Sequence, residues 1–95
     1  MTHHIKVEMV NRFGELARIV NLISGRGFNI EKLLIDGTDK PDISLAKLSL
    51  AGDKGKVDVL IKQINRQVRV TEARILNEDE VEKDNFFNET RLNKR

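Results

Sequence analysis

Ile5-Lys6-Val7-Glu8-Met9 alternates apolar with charged side chains, and beyond Asn11-Arg12-Phe13-Gly14 the period changes: Leu16, Ile19, Val20 and Ile23 fall at i, i+3, i+4 and i+7. The first pattern puts every second side chain on one face of a strand, and the second is a single stripe along a helix. The stretch therefore predicts a strand, a tight loop, then helix one over about residues 14–25. Gly25 and Gly27 can both take the left-handed conformation that ends helices. Phe28, Ile30, Leu33 and Ile35 form a second strand whose inward phase shifts between 30 and 33, the sign of a bulge.

Working outward, Asp36-Gly37-Thr38-Asp39-Lys40-Pro41-Asp42 is dense in turn formers and predicts a hairpin connection. Ile43, Leu45, Leu48 and Leu50 make a third strand, again with a phase change. Val57, Leu60, Ile61 and Ile64 repeat the helical spacing and predict helix two over about residues 54–66. Val68, Val70, Ala73 and Ile75 supply the last strand. The order βαββαβ over residues 4–76 predicts a ferredoxin-like α+β fold, a four-stranded antiparallel sheet with two helices on one face. Such a sheet leaves one face and at least one edge uncovered, which favours oligomerisation.

Residues 1–76 thus form one domain, and residues 77–95 a polar appendage whose only large apolar side chains are Val81, Phe86, Phe87 and Leu92. Residues 78–87 read as one helix that docks on the domain's own sheet or on a subunit mate, the alternative being a docking peptide for another protein. The domain is basic, with 13 Lys and Arg against 9 Asp and Glu, and the appendage is acidic, with 4 against 6.

The 95 residues carry 17 basic and 15 acidic side chains and no cysteine. That excludes disulfides, thiolate catalysis and thiolate metal sites, and fits a cytoplasmic protein. No apolar run approaches the roughly 20 residues of a membrane span, and the start reads as strand, not as a signal peptide. The basic residues are interleaved with acidic ones, and the inner strands, residues 5–10 and 43–50, lack aromatics for stacking bases. Both features argue against nucleic acid.

No nucleophile with a base, no carboxylate pair and no metal-ligand spacing stands out. His3 and His4 are adjacent on a strand and point to opposite faces. Glu15, Glu31, Asp36 and Glu72 read as solvated carboxylates. The loop before helix one is different, because a helix start presents unpaired N–H groups and a partial positive charge suited to a small anion. Gly14 lets a ligand approach the backbone, and Asn11 serves either as a cap or as a ligand contact. Asn29 carries the same ambiguity.

Asn11-x-x-Gly14-x-Leu16-x-Arg18-Ile19, followed by Gly25-Arg26-Gly27-Phe28-Asn29-Ile30-Glu31-x-Leu33, resembles the ACT domain of the regulatory (small) subunit of acetohydroxyacid synthase, also called acetolactate synthase. Thr38-Asp39, Gln63-Ile64 and Val68 agree, so the resemblance covers about residues 4–76. It implies a non-catalytic, cofactor-free subunit that activates a catalytic large subunit, on which thiamine diphosphate, magnesium and FAD are expected. It also implies feedback inhibition by a branched-chain amino acid, typically valine, and a homodimer whose sheets join side by side. The effector would lie between the loop before helix one of one chain and the second strand of its mate. Carried over, Asn11, Gly14 and Leu16 come from one chain and Asn29 and Ile30 from the other, with Arg12, Phe13 and Glu15 completing the loop. Phe13 departs from the small residue or proline usual in the family, and its ring would narrow the pocket or close over the ligand. The appendage and the uncovered sheet face are the candidate contacts for a catalytic subunit. The alternative is a stand-alone ACT module for oligomerisation or for sensing amino acids on behalf of another enzyme.

Overall fold

The computed structural model describes residues 2–88, so Met1 and the outer part of the appendage, Leu92 included, lie outside the described residues. Eight elements follow in the order β1 (Thr2–Val10), α1 (Glu15–Gly25), β2 (Asn29–Gly37), β3 (Ile43–Ala51), α2 (Lys54–Asn65), β4 (Val70–Ile75), α3 (Glu78–Lys83) and α4 (Asn85–Asn88). The four strands form one antiparallel sheet in the order β2-β3-β1-β4, leaving β2 and β4 at the edges.

Alternation along β1 sends Ile5, Val7 and Met9 into the core, where they meet Leu48 and Leu50 of β3, Ile19 and Ile23 of α1, and Leu60 and Ile64 of α2. All of these are at most 1% exposed. The opposite sheet face carries His4, Lys6, Lys47 and Arg74, by the same period of two.

The bulge expected in β2 is present, since its pairing with β3 shifts between Ile30 and Lys32. The phase change expected in β3 is not. β1 and β3 stay in register from Thr2 opposite Ala51 to Val10 opposite Ile43, so Ser44, Ala46, Leu48 and Leu50 all point inward. Ile43 and Leu45 therefore lie on the opposite face: the apolar residues change sides while the backbone does not. Val68, expected in the last strand, precedes β4 and is 94% exposed.

Helix α1 closes through a Schellman arrangement, with Gly27 N–H donating to Ser24 O at 3.0 Å and Phe28 N–H to Ile23 O at 3.3 Å. Gly27 takes φ +90°, but Gly25 is an ordinary helical residue, contrary to expectation. The second glycine alone makes the reversal that drops Phe28 into the core.

Past β4 the chain turns back over the polar sheet face. The single helix expected over residues 78–87 is instead two short ones broken at Asp84, whose backbone is extended at φ −98° and ψ 117°. The Asp84 side chain accepts from Phe86 N–H at 2.9 Å, competing with helix continuation. Phe87 packs edge-on to His4, with ring centroids 4.8 Å apart.

Candidate functional site

The loop between β1 and α1 is tied down at one end, where Asn11 N–H donates to Asp42 O at 2.7 Å. Gly14 then adopts φ +85° and ψ −8°, a left-handed conformation that a Cβ would strain, and starts α1 with no side-chain cap. Asn11 is thus not the cap of this helix. Arg12 O accepts from Glu15 N–H at 3.0 Å, closing the turn.

Glu15 was expected at the surface and is instead 4% exposed. It lies one turn before Ile19 and two before Ile23, on the most deeply buried stripe of α1. A carboxylate is favourable in a first turn, where it meets the positive end of the helix dipole. Leu16 is half-buried against the core. Phe13 projects fully into solvent, so within one protomer its ring neither fills nor closes the loop pocket.

A cavity of about 30 Å³ opens beneath the loop, lined by Asn11, Arg12, Glu15, Leu16, Ile35 and Ser44 among others. It has room for a water or two, and too little for an amino acid. Ile35 and Ser44 were not singled out in the sequence. The register signals their place, because Ser44 sits opposite both Met9 of β1 and Gly37 of β2.

Asn29 and Ile30 are not brought to this loop in the same chain. They pair with Ala51 and Leu50, at the opposite end of β3 from Ile43, which neighbours Val10. Eight residue steps along β3 separate the two ends, about 25 Å at the usual rise. Asn29 is exposed and Ile30 half-buried.

Two larger clefts border the returning C-terminal segment. One of about 480 Å³ runs between the start of β1 and α3 and is walled by His3, His4, Asn77, Glu78, Asp79 and Glu82 among others. Its histidines do face opposite ways. His3 contacts Gly52 O at 3.3 Å on the helix side, and His4 meets Ser49 Oγ at 2.8 Å on the other. Burial holds the His4 imidazole below its ordinary pKa, helped by His3 and Lys32 and opposed by Glu31. Among the described residues no group of three His, Cys, Asp or Glu side chains could hold a metal, and no helix is long and apolar enough to cross a membrane.

The element order and the sheet order β2-β3-β1-β4 define a class, the ACT fold. Its solved members include the ACT domain of a GTP pyrophosphokinase from Chlorobium tepidum, with TM-score 0.68 and 18% identity over 80% of this chain and 97% of that one. An acetolactate synthase small subunit from Thermotoga maritima superposes with TM-score 0.74 at 23% identity, over 82% of this chain and 48% of that one. Residues 5–72 match the family of AHAS small subunit-like ACT domains, and the chain belongs to that family. A probable acetolactate synthase small subunit from Archaeoglobus fulgidus is 36% identical over 84 residues, 88% of this chain and 53% of its own length. An acetolactate synthase small subunit from Aquifex aeolicus is 40% identical over 67 residues, 70% of this chain and 33% of its own length. The chain thus spans about half the length, or less, of these relatives.

Proposed function

We propose that the chain is the regulatory part of an acetohydroxyacid synthase, binding a branched-chain amino acid at a homodimer interface and transmitting its presence to a thiamine-diphosphate-dependent catalytic subunit. Acetolactate synthase small subunits among its relatives support the regulatory role. The observation that carries the effector site is the uncapped α1 start beside Ile35, on an edge strand that keeps Leu33, Leu34 and Ile35 more than a third exposed.

An edge strand with unpaired backbone groups and apolar side chains invites a second copy. If two β2 edges pair antiparallel about a two-fold axis, the Asn29–Ile30 end of one falls beside the Ile35–Gly37 end of the other. That end borders the loop. The 30 Å³ cavity then becomes half of a site whose other wall is the mate's Asn29 and Ile30, which answers the separation of these residues in one chain. In this reading the α1 amides take the effector carboxylate, the asparagines orient its amino group, and Leu16 and Ile30 line its side chain. Phe13 is poised to cover the bound ligand from the dimer side. The chain itself performs no reaction.

Thermal unfolding with added valine, leucine or isoleucine tests the reading. At a few hundred times the dissociation constant, the effector should add about 3 kcal/mol of stability. Gly14→Asp should abolish that gain by setting a carboxylate against the effector's own. Gly14→Asn, which tolerates the left-handed backbone without adding charge, should retain most of it. No stabilisation by any of the three amino acids, or an unchanged gain in Gly14→Asp, overturns the site.

A further inference from the structure

The polar sheet face offers a cation or an imidazole from every one of its four strands, β1 presenting both His4 and Lys6, and the returning segment engages at least one from each. Lys32 of β2 donates to Phe86 O and stands 4.5 Å from the Phe86 ring centroid. His4 of β1 meets Phe87, Lys47 of β3 pairs with Asp84 at 2.7 Å, and Arg74 of β4 pairs with Glu80 at 2.7 Å. Residues 77–88 hold five acidic side chains and one basic, so the covering segment complements the face it covers.

Its hold is light. α3 buries no residue, and α4 is held by Phe87, which is 7% exposed, and by Lys32 on Phe86. Helices of six and four residues are not stable by themselves, so the segment keeps its place through its contacts with the face, among them the exposed Arg74–Glu80 pair and the more shielded Lys47–Asp84 pair. Leu76, buried and with its N–H donating to His4 O at 2.8 Å, and Asn77 join β4 to α3, so Leu76 is the fixed point about which the segment would lift. Lifting it uncovers His4, Lys32, Lys47 and Arg74 together with Leu34 and Leu45 of the same face.

We propose that this face is a docking site for an acidic, phenylalanine-bearing segment of a partner protein, and that residues 77–88 are its built-in, displaceable occupant. The strap displays the chemistry the site selects: a carboxylate for Lys47, a carboxylate for Arg74, and an aromatic ring against His4. Glu8 and Glu72 occupy the far end of the face, in the wall of a cavity with Lys6, Leu45 and Arg74, and repel a segment that runs past Arg74. The strap thus marks the length of the site as well as its charge. The proposal does not depend on the amino-acid reading, because the face lies on the side of the sheet away from the α1 loop.

The test uses the full chain and a fluorescent peptide of residues 77–88, followed by anisotropy. A cis-bound strap taxes binding in trans by the fraction of time the face is closed. Asp84→Lys combined with Phe87→Ala should therefore tighten the peptide roughly tenfold over the wild type. Adding Lys47→Glu to that variant should remove binding, and raising salt should weaken it. In a separate Phe87→Trp chain the indole reports the strap directly, and saturating peptide should shift its emission to the red. Equal affinity for wild-type and unlatched chains, no binding to either, or an unmoved indole overturns the proposal. So does displacement of the peptide by a single-stranded oligonucleotide as effective as unlabelled peptide, which would reduce the face to a general polyanion surface. None of these variants touches the α1 loop, so a valine response that survives them separates the two claims.

Discussion

α1 and α2 hold equivalent places in the two halves of the fold, yet they begin in opposite ways. α2 is capped by Asp53, whose carboxylate accepts from Gly55 N–H at 2.9 Å. α1 begins at a left-handed glycine and has no side-chain cap. A third start, that of α3, is satisfied twice over: Asn77 accepts from Glu80 N–H at 2.9 Å while Glu80 accepts from Asn77 N–H at 3.0 Å. Where a helix start is purely structural, the chain supplies its own acceptor. Of these three starts, the one without such an acceptor lies beside an apolar sheet edge, which is why the effector reading belongs there.

Substitutions at the three starts should separate these roles. The largest effect is expected just before α2, where a Cβ on Gly52 would come within 2.4 Å of the Phe28 ring. Gly52→Ala should cost about 2 kcal/mol through overpacking of the core, read in chemical denaturation. Asp53→Ala should cost about 1 kcal/mol by removing a cap and should leave any effector-induced stabilisation intact. Gly14→Ala should cost a similar amount, about 1 kcal/mol, through its backbone alone. If Asp53→Ala abolished the effector response and Gly14→Asp did not, the assignment of roles to the two starts would be reversed.

The smallest effect concerns α3. Arg74 and the Asn77 N–H hold the Glu80 carboxyl down at about 2, well below the ordinary value of 4.5. A carboxylate with a depressed pKa stabilises the fold fully above the unfolded value, and that contribution is lost as pH falls from about 4.5 through about 2. A carbon-detected NMR titration should give Glu80 a midpoint near 2. Arg74→Ala should move that midpoint back toward the ordinary range. Asp84 differs in balance: burial pushes its pKa up, but Lys47, the Phe86 N–H and Lys6 outweigh that and bring it below the ordinary value.

Much of this was legible beforehand where one pattern had one cause. The Ile30-to-Leu33 phase break was read as a bulge and is one. The similar break in β3 was not, because hydrophobic phase reports side chains while the ladder constrains the backbone. Ser44 and Ala46 are inward residues too small or too polar to announce it. Glu15 was hidden for the converse reason, since a carboxylate on a buried stripe looks like a surface residue until its turn-by-turn alignment with Ile19 and Ile23 is known. The break at Asp84 rests on a single side-chain acceptor, which helical periodicity does not register.

What the sequence by itself determined is the order βαββαβ, the two helical stripes and the glycine-marked loop, because period and turn chemistry are local properties of neighbouring residues. Tertiary structure alone decided that Asn29 and Ile30 lie about 25 Å of strand away from Asn11. It also decided that Ile35 and Ser44 line the loop cavity and that an acidic strap finds one partner on each of four strands. Those relations depend on strand order and register, which join residues distant in the chain and so leave no trace in its local pattern.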